Sequence, residues 1–317
     1  MLWFGAKRLA RGLLVVLFVT FLVVALLGLA PGSLAVVILG ENATAAAVAR
    51  LEEQLGLNRP VWQQWWDWVL GAVRGDLGVS LVTGVPVARA ILTALPVTLE
   101  IALLALVISL ASAVPLAMLA AHRAGSAADR GIGALTSMLL AIPAFVAAPL
   151  LVYLLAIRLR WFPVTGWVPL SEGLGPNLRS AFLPAFSVAL IEIAAFQRVL
   201  RADLVTTLRE DYIAAARTKG LSARYVLVRH ALRPSSFSLL TVSGVSLGRL
   251  LGGTIIVEYL FTLPGLGQLV ATGVSSRDIV TVQGVVAFVA IAYVLVNTLV
   301  DVGYGYLDPR VRLAGER

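Results

Sequence analysis

Six long apolar segments constrain this chain more than any other feature of its sequence. Each holds about 20 residues or more, the length that an α-helix needs to cross the hydrocarbon core of a bilayer. With 59% hydrophobic and 13% charged residues among 317, the composition excludes a soluble domain. We therefore predict an all-α integral membrane protein with six transmembrane helices, at approximately 12–30, 97–121, 131–157, 181–199, 237–258 and 279–302.

Lysine and arginine are unevenly divided between the two sides of these spans. The termini and the loops 122–130 and 198–236 carry 16 of them, whereas the loops 31–96, 158–180 and 259–278 carry eight. An even number of spans places both termini on one side, and the excess of positive charge predicts that this side is the cytoplasm. The net charge of +8 is thereby explained by membrane edges, and no nucleic acid partner is expected.

The sequence contains none of the common catalytic or metal-binding patterns. Cysteine is absent and the two histidines lie far apart, so no catalytic residue and no metal site is predicted. A phosphate-binding loop needs a lysine followed by serine or threonine, but the only lysines are Lys7 and Lys219, and Lys219 precedes Gly220. We expect that the chain is not an enzyme and that any ATP hydrolysis takes place on a separate chain.

A tryptophan-rich helix is predicted within the segment between the first two spans, 31–96. Pro60 is expected to open this helix at its first position. Trp62, Trp65 and Trp66 then recur on one face with helical spacing. Such a stripe is typical of a helix in the aromatic belt of the membrane interface. A docking platform for a soluble protein is a compatible alternative.

The densest basic segment lies between the fourth and fifth spans, at 211–234. Asp211 is a suitable N-cap for a short helix whose centre, 214–216, consists of alanines. Gly220 is expected to end that helix in the left-handed conformation, and Ser222 to cap a second helix that runs towards Pro234. A helix–glycine–helix with such small side chains fits a groove on another protein. The alternative is a surface loop that obeys the positive-inside rule.

This segment resembles the coupling motif of ABC-importer permeases, in which Glu-Ala-Ala is followed by three residues and then Gly. Ala215, Ala216 and Gly220 match the motif, whereas Ala214 stands where the glutamate is usual. Further short motifs resemble, in the same order, the B-type subunit of dipeptide/oligopeptide permeases. They are LAPGS (29–33), EQLGLNRPVWQQW (53–65), RGDLGVSL (74–81), LPVTLEIALLAL (95–106), IPAF (142–145), LPGLGQL (263–269) and LDPR (307–310).

The resemblance implies a permease subunit of an ATP-driven importer for dipeptides or oligopeptides that works by alternating access. It implies four kinds of partner: a homologous permease in a pseudo-twofold heterodimer, two ATPase subunits that carry ATP and Mg²⁺, an extracytoplasmic binding protein, and membrane lipid. No cofactor is expected on this chain itself. Nickel-chelate or haem transport is the alternative within the family, and an autonomous channel or secondary transporter is the alternative outside it.

Two interaction surfaces are expected, the first from this resemblance and the second from the solvent-facing acids of the docking alternative for the 31–96 segment. ATPase coupling is expected at Asp211, Tyr212, Ala215, Ala216, Arg217, Lys219 and Gly220, and binding-protein docking at Glu52, Glu53 and Asp67. The chain would divide into a cytoplasmic amino terminus with the first span (1–30), an extracytoplasmic helical segment (31–96), a five-span core (97–306) with a coupling loop (203–234), and a cytoplasmic tail (307–317).

Charged residues inside the spans are the remaining candidates, because each is costly in lipid unless it is paired or hydrated. Glu192 and Arg249 should lie at similar depth on adjacent spans, with Asp301 as the alternative partner of Arg249. Together with Gln197, the pair is predicted to line the translocation pathway, although a static tie between helices is equally compatible. Glu258, near a span end, is expected to reach the interface.

Glycines recur every four residues on the fifth predicted span. Small residues at this spacing allow the backbone of another helix to approach closely. The spine is expected either to pack within the subunit or to form a subunit interface. It consists of Gly244, Gly248 and Gly252.

Overall fold

The computed structural model describes residues 2–29 and 33–307, and these residues form helices and connecting loops without a β-strand. The predicted tail lies outside the described residues from position 308 onward. The first seven helices are α1 (Leu2–Leu29), α2 (Leu34–Leu39), α3 (Ala45–Leu55), α4 (Val61–Val73), α5 (Val87–His122), α6 (Ala127–Ala141) and α7 (Ala144–Leu151). The others are α8 (Leu174–Thr207), α9 (Asp211–Thr218), α10 (Ala223–Tyr225), α11 (Leu232–Gly253), α12 (Ile255–Leu260), α13 (Leu266–Ser275) and α14 (Ile279–Leu307).

Four stretches of helix in the described part are long and apolar enough to cross a membrane: Ala10–Leu29, Val87–His122, Leu174–Thr207 and Ile279–Val300. A fifth candidate is the pair Ala127–Ala141 and Ala144–Arg158, whose two halves meet at 104°. The protein is thus an all-helical membrane protein with four or five candidate spans.

The bend in the predicted third span lies at Pro143. Proline lacks an N–H group and pushes the preceding residue out of the helical region, and Ile142 accordingly has extended dihedral angles. Helix α7 then starts directly after Pro143. The break thus occurs at Pro143, whereas Pro149 lies within α7.

Helix α11 falls where the fifth span was predicted. Its 22 residues would extend about 33 Å, which is enough to cross a bilayer. Its serines and Arg249 make it less apolar than the four clear candidates. The helix ends at Gly253, whereas the predicted span ended at position 258. The predicted fourth span, 181–199, is also longer in the structure, where α8 covers Leu174–Thr207.

The core is built around α8, which is buried along most of its length and packs against α5. Small residues line α5 at this interface, among them Ala105, Ala113 and Ala117, each with no exposed surface. Ser109 of α5 donates a 3.3 Å hydrogen bond to the carbonyl oxygen of Ala189 on α8. The missing side-chain bulk therefore lets the two long helices approach closely, and α8 provides a rigid frame for the residues it carries.

The tryptophans of α4 divide between packing and exposure. The indole of Trp65 donates a 3.0 Å hydrogen bond to Thr20 Oγ1 and meets the ring of Phe21 edge-on, with 5.5 Å between centroids. Trp62 and Trp66 are at least half exposed. Of the three tryptophans predicted to share one face of this helix, Trp65 therefore anchors α4 to α1, whereas Trp62 and Trp66 lie at the surface. The helix begins at Val61 and Pro60 is its N-cap residue, whereas Pro60 was predicted to be the first residue of the helix.

Candidate functional site

Arg249 of α11 and Glu192 of α8 form an ion pair. Nη2 of Arg249 lies 2.9 Å from each carboxylate oxygen of Glu192 and donates a further 2.9 Å hydrogen bond to Ser246 Oγ on its own helix. The contact confirms the prediction, made from depth along the spans, that these two residues meet. The side chain of Asp301, the alternative partner, lies outside the described residues.

The two members of the pair differ strongly in exposure. The side chain of Glu192 is 5% exposed, whereas that of Arg249 is 57% exposed. Glu192 is surrounded by the buried residues of α8, such as Ala189 and Phe196. The carboxylate is therefore held in the core, while the guanidinium extends to the surface of α11.

Gln197, the third pathway candidate, lies elsewhere in the core. It is 1% exposed, and its Nε2 has no hydrogen-bond partner among the described residues. The structure records no bond from Gln197 to Glu192 or Arg249. Its assignment to a pathway stays a prediction.

The glycine spine of α11 packs against α14 within the subunit. A Cβ on Gly244 would lie 2.8 Å from Val300, and one on Gly248 would lie 3.3 Å from Tyr293. Of the two possibilities for the spine, packing within the subunit is the one observed in the described residues. Arg249 projects from a different face of α11, so close packing and the ion pair occupy separate sides of one helix.

The coupling loop forms the helix–glycine–helix expected from its sequence. Gly220 has φ +80°, a value that L residues with a side chain rarely adopt, and Ser222 Oγ accepts a 3.4 Å hydrogen bond from the N–H of Tyr225. The N-cap of α9 is Glu210 instead of Asp211, and the structure records no side-chain capping bond there. Asp211 occupies the first helical position, where a carboxylate still interacts favourably with the helix dipole.

The alanines of α9 do not form a single exposed face. Ala216 is 8% exposed and packs with Ile213, Val226 and Leu227 inside the protein. Its side chain therefore supports the fold of the loop, and its assignment to ATPase coupling stays a prediction. The exposed residues between 211 and 220 are Asp211, Tyr212, Ala214, Ala215, Arg217, Thr218, Lys219 and Gly220.

The second helix of the loop does not end at Pro234. Helix α10 passes into a π-helical turn, Val226–Ala231, and from there directly into α11. Pro234 lies within this continuous helix and has no N–H for the carbonyl oxygen of His230, four residues earlier, which instead accepts a 3.5 Å hydrogen bond from the hydroxyl of Tyr212. The second helix of the coupling loop and α11, the helix that carries Arg249, thus form one continuous helical rod from Ala223 to Gly253.

The three acids expected to face a binding protein have different surroundings. Glu52 accepts a 2.5 Å hydrogen bond from Ser33 Oγ and is only partly exposed, so it ties α3 to the start of α2. Glu53 is exposed. Asp67 is exposed and lies 3.3 Å from Nη1 of Arg59.

An ion pair at one end of α6 was not anticipated from the sequence. Asp129 accepts hydrogen bonds of 2.6 Å from both Nε and Nη2 of Arg201 on α8, and one of 2.9 Å from the N–H of Gly125. A local signal for Asp129 exists, because Ser126 is the N-cap three residues earlier. Nothing in the sequence points to Arg201, which is 72 residues away.

A second unanticipated contact joins α12, α13 and α5. Glu258 Oε2 accepts a 2.6 Å hydrogen bond from the N–H of Gly267, and Thr98 Oγ1 accepts one of 2.8 Å from the N–H of Leu266. These bonds satisfy N–H groups that the first turn of α13 would otherwise leave unpaired. Glu258 has no exposed surface, so the expectation that it reaches the interface is wrong. Gly265 makes room for it, since a Cβ there would collide with Glu258 Oε2.

A third contact joins the segment after α4 to the start of α14. Asp278 accepts hydrogen bonds from Ser80 Oγ at 2.5 Å and from Thr281 Oγ1 at 2.6 Å. Among residues 2–29 and 33–307, no group of three or more His, Asp or Glu side chains is arranged to hold a metal ion. The polar contacts of the described core are therefore ties between helices.

Comparisons with known proteins cover nearly the whole chain. The family described as "Binding-protein-dependent transport system inner membrane component" matches residues 113–313, and the amino-terminal family of the same membrane component matches residues 1–102. A "probable peptide ABC transporter permease protein" of Sinorhizobium fredii is 36% identical, with 96% of this chain and 98% of the relative covered. A di/tripeptide transport system permease of Pseudomonas aeruginosa is 35% identical, and a glutathione transport system permease of Escherichia coli 33%, each with 98% of this chain and 99% of the relative covered.

Proposed function

The chain belongs to the family of binding-protein-dependent transport system inner membrane components, and on that premise we propose that it is a permease subunit of an ATP-driven importer for dipeptides or oligopeptides. It is a multi-pass protein of the inner membrane. The observation that carries the substrate class is the similarity, over nearly the full length of both chains, to permeases named for peptide, di/tripeptide and glutathione transport.

In this proposal the chain has six spans and both termini face the cytoplasm. The span added to the five candidates is α11, continued by α12, which is the fifth in chain order. Its length supports this role, because its 22 residues suffice to cross a bilayer. The higher lysine and arginine content of the loops on the side of the coupling loop supports the orientation.

The energy for transport comes from two separate ATPase subunits that carry ATP and Mg²⁺ and bind the coupling loop. Support comes from the compact fold of this loop, which exposes Ala214 and Ala215 between larger side chains such as Tyr212, 47% exposed. Small side chains on a protruding helix allow close approach of a partner. Because α10 and α11 are continuous, a displacement of the loop would be passed along the rod to Arg249.

The translocation pathway lies between this subunit and a homologous permease, and it opens to either side in turn. On this subunit, Glu192, Arg249 and Gln197 are assigned to the pathway. The partial exposure of Arg249 supports the assignment, because a guanidinium in a membrane span is expected to face a partner or a water-filled cavity. An extracytoplasmic binding protein delivers the peptide to the 31–96 segment.

Reconstitution tests the proposed function. The chain would be co-expressed with a homologous permease, ATPases and a binding protein from the same organism, and uptake of labelled di- and oligopeptides into proteoliposomes would be measured with and without ATP. Uptake that requires ATP and the binding protein supports the proposal. Uptake of haem or a nickel chelate instead would change the substrate class, and transport by the chain without ATPases would contradict the proposal.

A further inference from the structure

Arg249 lies on an outward-facing stripe of α11 and α12 that is otherwise neutral. Phe237, Val245 and Ile256 are exposed on this stripe at 47%, 37% and 52%. Between positions 237 and 256, Arg249 is the sole charged residue in the sequence. One guanidinium therefore dominates the electrostatic character of a surface more than four helical turns long.

The hydrogen-bonding capacity of this guanidinium is only partly used. All its recorded bonds, to Glu192 and Ser246, come from Nη2. Its Nε and Nη1 have no recorded acceptor among residues 2–29 and 33–307. Since arginine carries five N–H donors, Nη2 is held by Glu192 and Ser246 while the N–H groups of Nε and Nη1 keep their capacity to donate.

We propose that the remaining N–H donors of Arg249, on Nε and Nη1, bind the carboxylate of the peptide during its passage through the membrane. The inference rests on the proposed function, since it names the substrate group recognised at that site. Glu192 acts as a positioning residue: it holds the guanidinium in one orientation and lowers the net charge of the site. A carboxylate would accept charge-assisted hydrogen bonds from these donors.

The exposure of the pair selects the carboxyl end of the peptide instead of its amino end. An ammonium group would need access to Glu192, whose side chain is 5% exposed and already bonded to Arg249. The guanidinium, by contrast, is accessible. The pair can thus recognise an anion but is closed to a cation.

A carboxylate of a partner subunit is a less suitable acceptor for the same donors. Two acids and one arginine in a dry interface would bury a net negative charge, which is costly. A zwitterionic peptide in a water-filled pathway brings its own compensating ammonium group. The neutralisation by Glu192 also keeps the attraction weak enough for the peptide to leave, as transport requires.

Peptides that differ only in their carboxyl terminus test the proposal in the assembled transporter. ATP-dependent uptake of a free-acid peptide and of its C-terminal amide would be compared in the unmodified protein and in the double variant Arg249→Gln/Glu192→Gln. The double variant avoids leaving Glu192 buried without its partner. The matched control is Glu192→Gln, which retains the arginine. The selectivity of the binding protein is the same in all cases and cancels from the comparison.

We expect the free-acid to amide uptake ratio to fall about tenfold in the double variant, which corresponds to about 1.4 kcal/mol. In Glu192→Gln the ratio should not fall, because the amide oxygen of glutamine can still accept a hydrogen bond from Nη2 and the guanidinium keeps its charge. An unchanged ratio in the double variant would overturn the proposal. Absence of ATP-dependent uptake of both peptides by the unmodified assembly would instead contradict the proposed function, so the two failures are distinguishable.

Thiol labelling gives a second measurement that does not depend on uptake. The chain has no cysteine, so Val245→Cys, one helical turn from Arg249, introduces a single reactive site. Methanethiosulfonate reagents carrying either a sulfonate or a trimethylammonium group would be applied to the assembled transporter. Leu14→Cys on α1, where the leucine is 66% exposed in an apolar helix, is the control.

We expect the sulfonate reagent to modify the Val245→Cys variant faster than the cationic reagent does. A free-acid peptide should slow the modification by the sulfonate reagent. The charge preference should disappear when Arg249→Gln/Glu192→Gln is added. Leu14→Cys should react with neither reagent. Failure of both reagents at Val245→Cys, with and without ATP, would show that the stripe is closed to water and would overturn the proposal.

Discussion

Asp129, at the start of α6, is held by two parallel hydrogen bonds from the guanidinium of Arg201, near the far end of α8. Both bonds are 2.6 Å long, and the side chain of Asp129 is 7% exposed. Arg201 lies only ten positions before Asp211, where α9 begins. The pair therefore joins the first half of the bent helix pair to the segment that leads into the coupling loop.

Removal of Arg201 alone should destabilise the protein more than removal of both partners. Arg201→Leu leaves a buried carboxylate without its charged partner, and we expect a loss of about 1.5–3 kcal/mol. Arg201→Leu/Asp129→Leu should recover part of this loss. Thermal unfolding of the purified complex in detergent measures both effects. Arg198→Leu is the matched control, because Arg198 donates one exposed hydrogen bond, to Ser137, and should change the unfolding temperature little. Equal destabilisation by all three variants would contradict the role of the pair.

Gly220→Val should abolish transport while the protein still inserts into the membrane. The backbone at Gly220 has φ +80°, which costs a residue with a side chain about 1–2 kcal/mol. No atom lies within 4 Å of the position a Cβ would take, so the effect is backbone strain without a steric clash. Gly220→Asn, which tolerates this conformation better, should retain most of the uptake. Uptake and binding-protein-stimulated ATPase activity are the measurements; normal values for Gly220→Val would refute the prediction.

Ala215 and Ala216 should respond differently to the same substitution, because only Ala216 is buried. Ala216→Leu overpacks the cluster with Val226 and Leu227 and should lower stability by about 1–3 kcal/mol. Ala215→Leu should leave the unfolding temperature unchanged but weaken co-purification of the ATPase subunits. Indistinguishable stability of the two variants would mean that the burial of Ala216 has no energetic consequence.

Charge reversal at Glu53 and Asp67 should weaken binding of the extracytoplasmic binding protein, since both acids are exposed. For Glu53→Lys/Asp67→Lys we expect a Kd about tenfold higher, measured by titration of nanodisc-embedded transporter, with basal ATPase activity preserved. Glu52→Lys is a different test, because it breaks the hydrogen bond to Ser33 and should reduce stability first. A Kd unaffected by the double reversal would leave the 31–96 segment with an anchoring role alone.

Local chemistry made several features of this protein predictable from its sequence. The length and apolarity of the segments determine that the chain is a helical membrane protein, because unpaired backbone groups are not tolerated in lipid. The left-handed Gly220, the Ser222 cap and the bend at Pro143 follow from the conformational limits of single residues and their immediate neighbours. Even the meeting of Glu192 and Arg249 could be anticipated, since depth in a bilayer follows from position along a span.

Only the tertiary structure decided which side of each helix is buried. Ala216 packs inward and Ala215 does not, and Trp65 contacts α1 while Trp66 stays exposed. Glu258 of α12 is buried against the start of α13. The partner of Asp129 lies 72 residues away on another helix. Backbone preference and hydropathy act over a few residues, whereas the rotation of a helix about its axis is set by the shape and polarity of its neighbours. That rotation leaves Glu192 in the core and Arg249 at the surface.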